Sequence, residues 1–191
     1  MVTTRHSHED VVRAAGRLFA ERGYHGTSMR DLGKELGLLG SSLYSHVSSK
    51  QDLLVEVVEE GARLFEESAV KALSVEGTAA DRLEALVAAH VEVVVDNIDV
   101  SRTFLNEARM LDATHRARIV DARDHYEGVF RSVIGEGRND GSFTAHIDPK
   151  IASIFILSIL NAIERWYHVD GDLDRDALIE ELTAFIMSAL S

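Results

Sequence analysis

Residues 27–54, TSMRDLGKELGLLGSSLYSHVSSKQDLL, decide the fold. Met29, Leu32 and Leu36 recur at helical spacing, with Thr27 as the expected N-cap and Gly37 as the stop, which predicts a short helix over 27–36. Gly37-Leu38-Leu39 then forms a turn, and a second short helix is expected from about 40 to 47. On it Leu43 and Val47 stand four apart on one face, where they would pack on the preceding helices. Ser41, Ser42, Ser45 and His46 are left on the outer arc. This is the plan of a helix-turn-helix, whose second helix can enter a groove; small hydroxyls permit close approach, and His46 can donate to a phosphate or a base edge. The same spacing also fits a plain helical hairpin carrying solvated serines. Ser49-Lys50-Gln51-Asp52 reads as a capping box, with Asp in place of Glu, opening a long helix through Leu53, Leu54, Val57, Val58, Gly61, Leu64 and Phe65.

Outward from this stretch the pattern stays helical. Val11, Val12, Ala15, Leu18 and Phe19 form a stripe that stops at Gly23. Thr78 to Asp81 repeats the start signal ahead of Leu83, Leu86, Val87, His90, Val91 and Val94. Helices are expected over 101–111 and 114–134, the latter ended by Gly135, Gly137 and the 139–141 cluster. Asp148-Pro149 is an N-cap followed by proline at the first helical position. It launches 151–167, apolar nearly all round and so expected to be buried on more than one side. Asp174 caps a last helix with Leu178, Ile179, Leu182, Phe185, Ile186 and Leu190. The expectation is an all-α fold of about nine helices. One proline in 191 residues agrees with it, because β-sandwich turns need more breakers.

Composition removes several classes of function. The chain has no cysteine, which excludes disulfide scaffolds, thiolate metal sites and cysteine nucleophiles. No apolar run reaches the roughly 18–20 residues of a membrane span, and the first residues lack a signal-like apolar centre, so a soluble cytoplasmic protein with no membrane partner is expected. The net charge is −12, yet residues 1–50 hold seven Lys and Arg against five Asp and Glu. An acidic body with a mildly basic first quarter points any polyanion to the N-terminal segment.

Residues 27–32 and Gly37-Leu38, then 42–47 and 48–54, resemble in order the DNA-binding domain of TetR-family repressors. So does the preceding run from Ala15 through Leu18-Phe19-Ala20-Glu21 to Gly23-Tyr24 and Gly26-Thr27, and the resemblance is nearly gap-free over about residues 8–60. It implies a three-helix DNA-binding head over 1–52, a six-helix ligand-binding and dimerisation body over 53–191, and a two-fold dimer built on the last two helices. It also implies binding of a palindromic double-stranded operator and release by a small-molecule effector. The residues implied for DNA are Thr27, Ser28, Gly40, Ser41, Ser42, Tyr44, Ser45, His46 and Lys50. This chain departs from the family pattern in having Leu39-Gly40-Ser41 where a lysine-bearing run is frequent, and Val47 where an aromatic is usual. No Lys or Arg lies between Lys34 and Lys50, so arginine readout of guanine is not available to the second helix. Phosphate anchoring is then expected from Lys50, Tyr44, His46, Thr27 with its helix N-terminus, and basic residues of the first helices.

Further on, Asn106-Glu107, Arg109, Leu111, Arg123-Asp124, Tyr126, Gly137, Gly141, Phe143, Asp148-Pro149, Asn161, Arg165-Trp166-Tyr167, Gly171 and Leu173 resemble one subgroup, repressors of fatty-acid, aromatic-acid or steroid-ring degradation that respond to acyl-CoA thioesters. The implied effector is an acyl-CoA and no cofactor is expected. The ligand-binding candidates are Phe104, Arg109, Arg123, Tyr126, Asn161, Arg165 and Trp166, the arginines suiting phosphates or a carbonyl and the apolar residues an acyl chain. Each has a plainer role open to it. Phe104 and Tyr126 suit a core, Trp166 a dimer or core contact, Arg109 and Glu107 a solvated face, and Asn161 either a cavity or a bond across the dimer. Two other readings stand beside this one: a sensor of lipophilic drugs or other non-CoA metabolites, and a helical adaptor without DNA affinity. An enzyme is not expected. His115 and His125 with Asp112, Asp121 and Asp124 form the sole carboxylate–histidine cluster, short of a di-iron set, and no phosphate loop or nucleophile elbow is present. No metal site is expected.

Overall fold

The structure is a computed structural model that describes residues 7–38, 43–144, 146 and 148–191. Among the described residues it holds eight α-helices: α1 His8–Gly26, α2 Met29–Glu35, α3 Lys50–Leu73, α4 Ala79–Asp96, α5 Ile98–Glu107, α6 Ala113–Asp140, α7 Pro149–Trp166 and α8 Arg175–Leu190. A 3₁₀ turn, Ala108–Met110, follows α5, and no strand occurs among the described residues. The all-α class is as expected. The second helix of the helix-turn-helix falls partly on residues 39–42, outside the described residues. Residues 44–46 form a turn, so the helix expected to reach Val47 does not extend that far.

Two compact units divide the chain: residues up to Ala62 with Asp99–Val120, and Arg63–Ile98 with Asp121–Ser191. The division expected at 52/53 lies inside α3. Motif resemblance marks where a binding element ends, whereas compactness follows packing, and the packing returns α5 to the first helices.

In the first unit α1 begins with a full capping box, Ser7 with Asp10. It buries Val11, Ala14, Ala15, Leu18 and Phe19. Gly23, at φ 73 and ψ 162, breaks it in a conformation that costs a side chain too much. The N-cap of α2 is Ser28, one residue beyond the expected Thr27. Ser28 Oγ accepts from Asp31 N, and the Ser28 hydroxyl and amide hold the Asp31 carboxyl below the usual carboxylate range. Thr27 is buried instead, its hydroxyl donating to the carbonyls of Leu18 and Gly23. Gly37 ends α2 at φ 63, where Leu38 N donates to Gly33 O and Gly37 N to Lys34 O, the paired bonds of a Schellman stop. Leu43 and Val47 are buried with Leu32, Leu53, Leu54, Val57 and Val58, the face expected of them.

α5 starts at Ile98 and ends at Glu107, shifted from the expected 101–111. Thr103 Oγ1 donates to Gly16 O at 3.1 Å. Phe104 lies against α3, where a Cβ on Gly61 would come 2.6 Å from Phe104 Cβ. Gly61→Ala is therefore expected to destabilise by about 1–3 kcal/mol, although alanine is normally the better helix residue by about 1 kcal/mol. Urea unfolding of the two proteins measures the sign. A gain in stability would show that α3 and α5 do not meet this closely.

The second unit contains α4 packed by both α7 and α8. Its helices carry the expected starts. Thr78 and Asp81 form a capping box, Asp148 caps α7 ahead of Pro149, and Asp174 caps α8. α6 runs past Gly135 and Gly137 to Asp140, because neither glycine takes a positive φ; Gly141 does, at 85°. Gly137 seats the Phe143 ring so closely that a Cβ there has no room. α7 departs most from expectation. Ala152, Ser153, Ile156, Leu160, Ile163 and Glu164 are buried, while Ile151, Ile154, Phe155, Ile159 and Trp166 are exposed. Its all-round apolar composition is thus a buried face and an apolar outer face. On α8, Phe185 is likewise 60% exposed. Among the described residues no helix is long and apolar enough to cross a membrane.

Candidate nucleic-acid interface and effector-binding core

The corner between α1 and α2 is held from behind by α3. Lys50 Nζ donates to the carbonyls of Tyr24 and Thr27, each at 2.8 Å, and stands 4.1 Å above the Tyr24 ring centre. Tyr24 hydroxyl donates to Gln51 Oε1 at 2.8 Å, and its backbone N–H donates to Glu107 Oε2 at 3.2 Å. Burial raises the Tyr24 hydroxyl pKa. Sequence reasoning passed over Tyr24 and Glu107 as fastening points, since the partners lie 27 and 83 positions apart.

This geometry changes two expected DNA contacts. Thr27 has its hydroxyl turned inward and its amide N–H donated to Tyr24 O, so it presents neither to a phosphate. Lys50 already serves two carbonyls and a ring, which makes it a clasp before it is an anchor. Lys50→Ala is expected to lower stability by about 1–3 kcal/mol and to weaken binding to every DNA sequence alike, with the salt slope unchanged. Thermal melts and a salt titration of DNA binding read both quantities. A slope flattened by about one unit at unchanged stability would restore Lys50 to the phosphates. Tyr44, at 56% exposure, Ser45 and Ser28 are on the surface, and His46 is half-buried with its N–H donated to Leu43 O. Gly40, Ser41 and Ser42 lie outside the described residues.

In the second unit, the α4 histidine His90 sits in a ring of aromatics. Ring centres lie 4.8 Å away for Phe65, 5.8 Å for Tyr126 and 6.5 Å for Phe130. His90 Nδ1 is 3.1 Å from Tyr126 Oη, Tyr126 bonds Ser68, and Ser68 Oγ donates to Phe65 O at 2.8 Å. His90 Nε2 is buried with no hydrogen-bond partner among the described residues. Burial pushes the imidazole pKa down to about 3 and that of the Tyr126 hydroxyl up. Arg123, three positions before Tyr126 on α6, is half-buried, and desolvation lowers its guanidinium pKa. Sequence reasoning read His90 as one more residue of an apolar stripe. A histidine among Leu86, Val87, Val91 and Val94 was the available signal.

The seven ligand candidates divide between the two units. Phe104 and Arg109 belong to the first unit, Phe104 as core against Gly61 and Arg109 exposed in the 3₁₀ turn. Arg165 is exposed and pairs with the buried Glu164, Nε to Oε1 3.4 Å. Trp166 is 47% exposed on the face of Phe155 and Ile159, three turns and two turns back. Asn161 is half-buried beside that face. Tyr126 is part of the aromatic core, and Arg123 lies one helical turn before it on α6. Of the carboxylate–histidine cluster, His115 pairs with Asp112 at 2.6 Å, and no metal-holding group occurs among the described residues.

A helix-turn-helix sequence followed by an all-helical body defines a class of DNA-binding regulators. Residues 11–57 match the family described as bacterial regulatory proteins, tetR family, and residues 76–190 match the tetracyclin repressor-like C-terminal domain. The chain belongs to the TetR family: it is a TetR-type transcriptional repressor and not an enzyme. It is 26% identical to the HTH-type transcriptional repressor KstR2 of Rhodococcus jostii over 187 residues, covering 95% of this chain and 90% of that one. The ketosteroid transcriptional regulator KstR2 of Mycobacterium tuberculosis superposes with a TM-score of 0.92 at 22% identity, covering 100% and 97%. AibR, solved in complex with isovaleryl coenzyme A and operator DNA, superposes with a TM-score of 0.84 at 23% identity, covering 93% and 96%.

Proposed function

We propose that this repressor binds a palindromic operator as a homodimer in the cytoplasm and is released from it by an acyl-CoA thioester. The observation that carries the effector reading is the second unit's core, where aromatic side chains enclose one neutral imidazole and a desolvated arginine stands one helical turn from Tyr126. Apolar walls with few polar groups suit an acyl chain, and Arg123 suits a carbonyl or phosphate. The complex of AibR with isovaleryl coenzyme A and operator DNA supports the same pairing of ligand and DNA in a protein of this fold. For the dimer, the support is the outer face of α7, where Ile151, Ile154, Phe155, Ile159 and Trp166 are exposed in the single chain, with Phe185 on α8. Two-fold pairing sets recognition helices about 34–36 Å apart, which requires a palindrome. Tyr44, Ser45, His46 and Ser28 are the contacts toward DNA, with Gly40, Ser41 and Ser42.

Genomic DNA selected on the protein should yield one palindromic fragment, bound with a salt slope of about −5 if some six phosphates are met. A panel of CoA thioesters should contain one that dissociates the complex while free CoA does not. A hundredfold preference for the released state corresponds to about 2.7 kcal/mol of coupling, ample to empty the operator. If no thioester acts while lipophilic cations do, the protein is a drug sensor of the same fold. If no fragment is selected, the adaptor reading replaces both.

A further inference from the structure

The end of α5 meets the DNA-binding corner through a closed ring of hydrogen bonds. Gly23, at φ 73, turns α1 out of helix, and the next amide, Tyr24 N–H, is donated to Glu107 Oε2 at 3.2 Å. The Tyr24 hydroxyl donates to Gln51 Oε1 at 2.8 Å, and Gln51 Nε2 donates to Met110 O at 3.4 Å. Met110 stands three positions after Glu107, so the ring closes through α1, α3, the last residue of α5 and the 3₁₀ turn. Its four residues are half-buried and lie in the first compact unit. Yet Tyr24 and Gln51 fall within the DNA-binding match, 11–57, and Glu107 and Met110 within the C-terminal match, 76–190. The ring therefore joins the two family domains inside one unit. Thr103 Oγ1 ties α5 to Gly16 O, ahead of the break at Gly23, whereas Glu107 holds the chain just beyond the break, where its direction is set anew. The head keeps its own integrity without Glu107, through the Lys50 clasp on Tyr24 O and Thr27 O and the buried Leu32, Leu43 and Val47.

We propose that Glu107 is a positioning residue for operator binding: by holding Tyr24 N–H it fixes the DNA-binding corner against α5 and so sets the half-site spacing the dimer accepts. The proposal rests on the dimer and palindrome reading above. A carboxylate accepting from a backbone N–H is among the stronger hydrogen bonds, and in a closed network each bond keeps the others in register. One head reads a half-site with its own residues and does not need the ring. Two heads on one palindrome must both stand at a fixed separation and rotation. One base pair added at the centre moves a half-site by about 3.4 Å and about a tenth of a turn. If an untied head stands in the required placement about a tenth of the time, apparent affinity falls about tenfold.

The test measures binding of the selected genomic palindrome, its single half-site, and palindromes lengthened or shortened by one base pair at the centre. Glu107→Leu should bind the palindrome about tenfold more weakly, bind the half-site as the wild-type protein does, and discriminate less among the three spacings. Glu107→Gln, which keeps an oxygen acceptor for Tyr24 N–H, should restore both affinity and spacing preference. Should Glu107→Leu fail to fold, deuterium exchange of the Tyr24 amide in wild-type protein gives the answer, because DNA that favours the tied corner must slow that exchange. Unchanged palindrome affinity in Glu107→Leu, an equal loss on the half-site, no rescue by Glu107→Gln, or exchange indifferent to the palindrome overturns the proposal and leaves the dimer reading standing. A wild-type protein that does not prefer the palindrome to its half-site overturns both.

Discussion

Ile159→Asp is expected to turn the protein into a monomer at micromolar concentration and to abolish its preference for a palindrome over a half-site. Ile159 lies near the middle of the outer stripe of α7, one turn from Phe155 and two from Trp166, and is 37% exposed in the single chain. If that stripe faces its own copy, the two-fold axis brings the same substitution in twice. Each carboxylate buried without a partner costs about 3–5 kcal/mol, so even half that penalty over two sites exceeds about 3 kcal/mol, a hundredfold or more in dimer dissociation. Sedimentation or light scattering reads the change, and half-site binding should survive because the head is untouched. Val70→Asp is the matched control: Val70 is 65% exposed, on α3, and should leave the dimer alone. A dimer of unaltered strength in Ile159→Asp would move the interface off α7.

How much of the molecule is legible in its sequence depends on the range of the interactions involved. Helix starts were legible because a cap is a local object: Thr78 with Asp81, Asp148 with Pro149 and Asp174 each bond within three residues. The inward pair Leu43 and Val47 was legible from spacing alone. The one-residue error at Thr27 shows where locality fails. Thr27 and Ser28 are equivalent as sequence, and the Leu18 carbonyl nine positions away selects Thr27 for burial. Lys50 looked like a free cation for the same reason, since its two carbonyl partners lie 26 and 23 positions back. For α7 the limit is of a different kind. A helix apolar on every side can be wrapped by its own chain or covered by another, and composition does not distinguish the two. Phe104 and Arg109, themselves effector candidates, belong to the first unit, where Phe104 packs against Gly61 of α3. His90 was visible but uninterpretable. Its meaning depends on Tyr126, Ser68 and Phe65, contributed by two other helices.

The pH dependence of stability is the second large effect expected, and His90 supplies it. In the unfolded chain the imidazole takes a proton near its ordinary value of 6.5, while in the folded protein burial holds that value down to about 3. Between these limits the unfolded state binds one proton more than the folded state, so stability is complete above pH 6.5 and declines as pH falls toward 3. The decline is about 1.4 kcal/mol per pH unit, or about 2.7 kcal/mol from pH 6.5 to 4.5. Carboxylates held low by hydrogen bonds, such as Asp31 and Asp81, also weaken the fold on acidification, but closer to and below their ordinary range. All of these are shared by His90→Leu, so the difference between the two proteins isolates His90. Urea unfolding at fixed protein concentration, stepped from pH 7 to pH 4.5, should give a wild-type curve that falls about 2.7 kcal/mol further than that of His90→Leu. Parallel curves would mean that the imidazole finds a charge partner or water when protonated, and that the aromatic core around it is open to solvent.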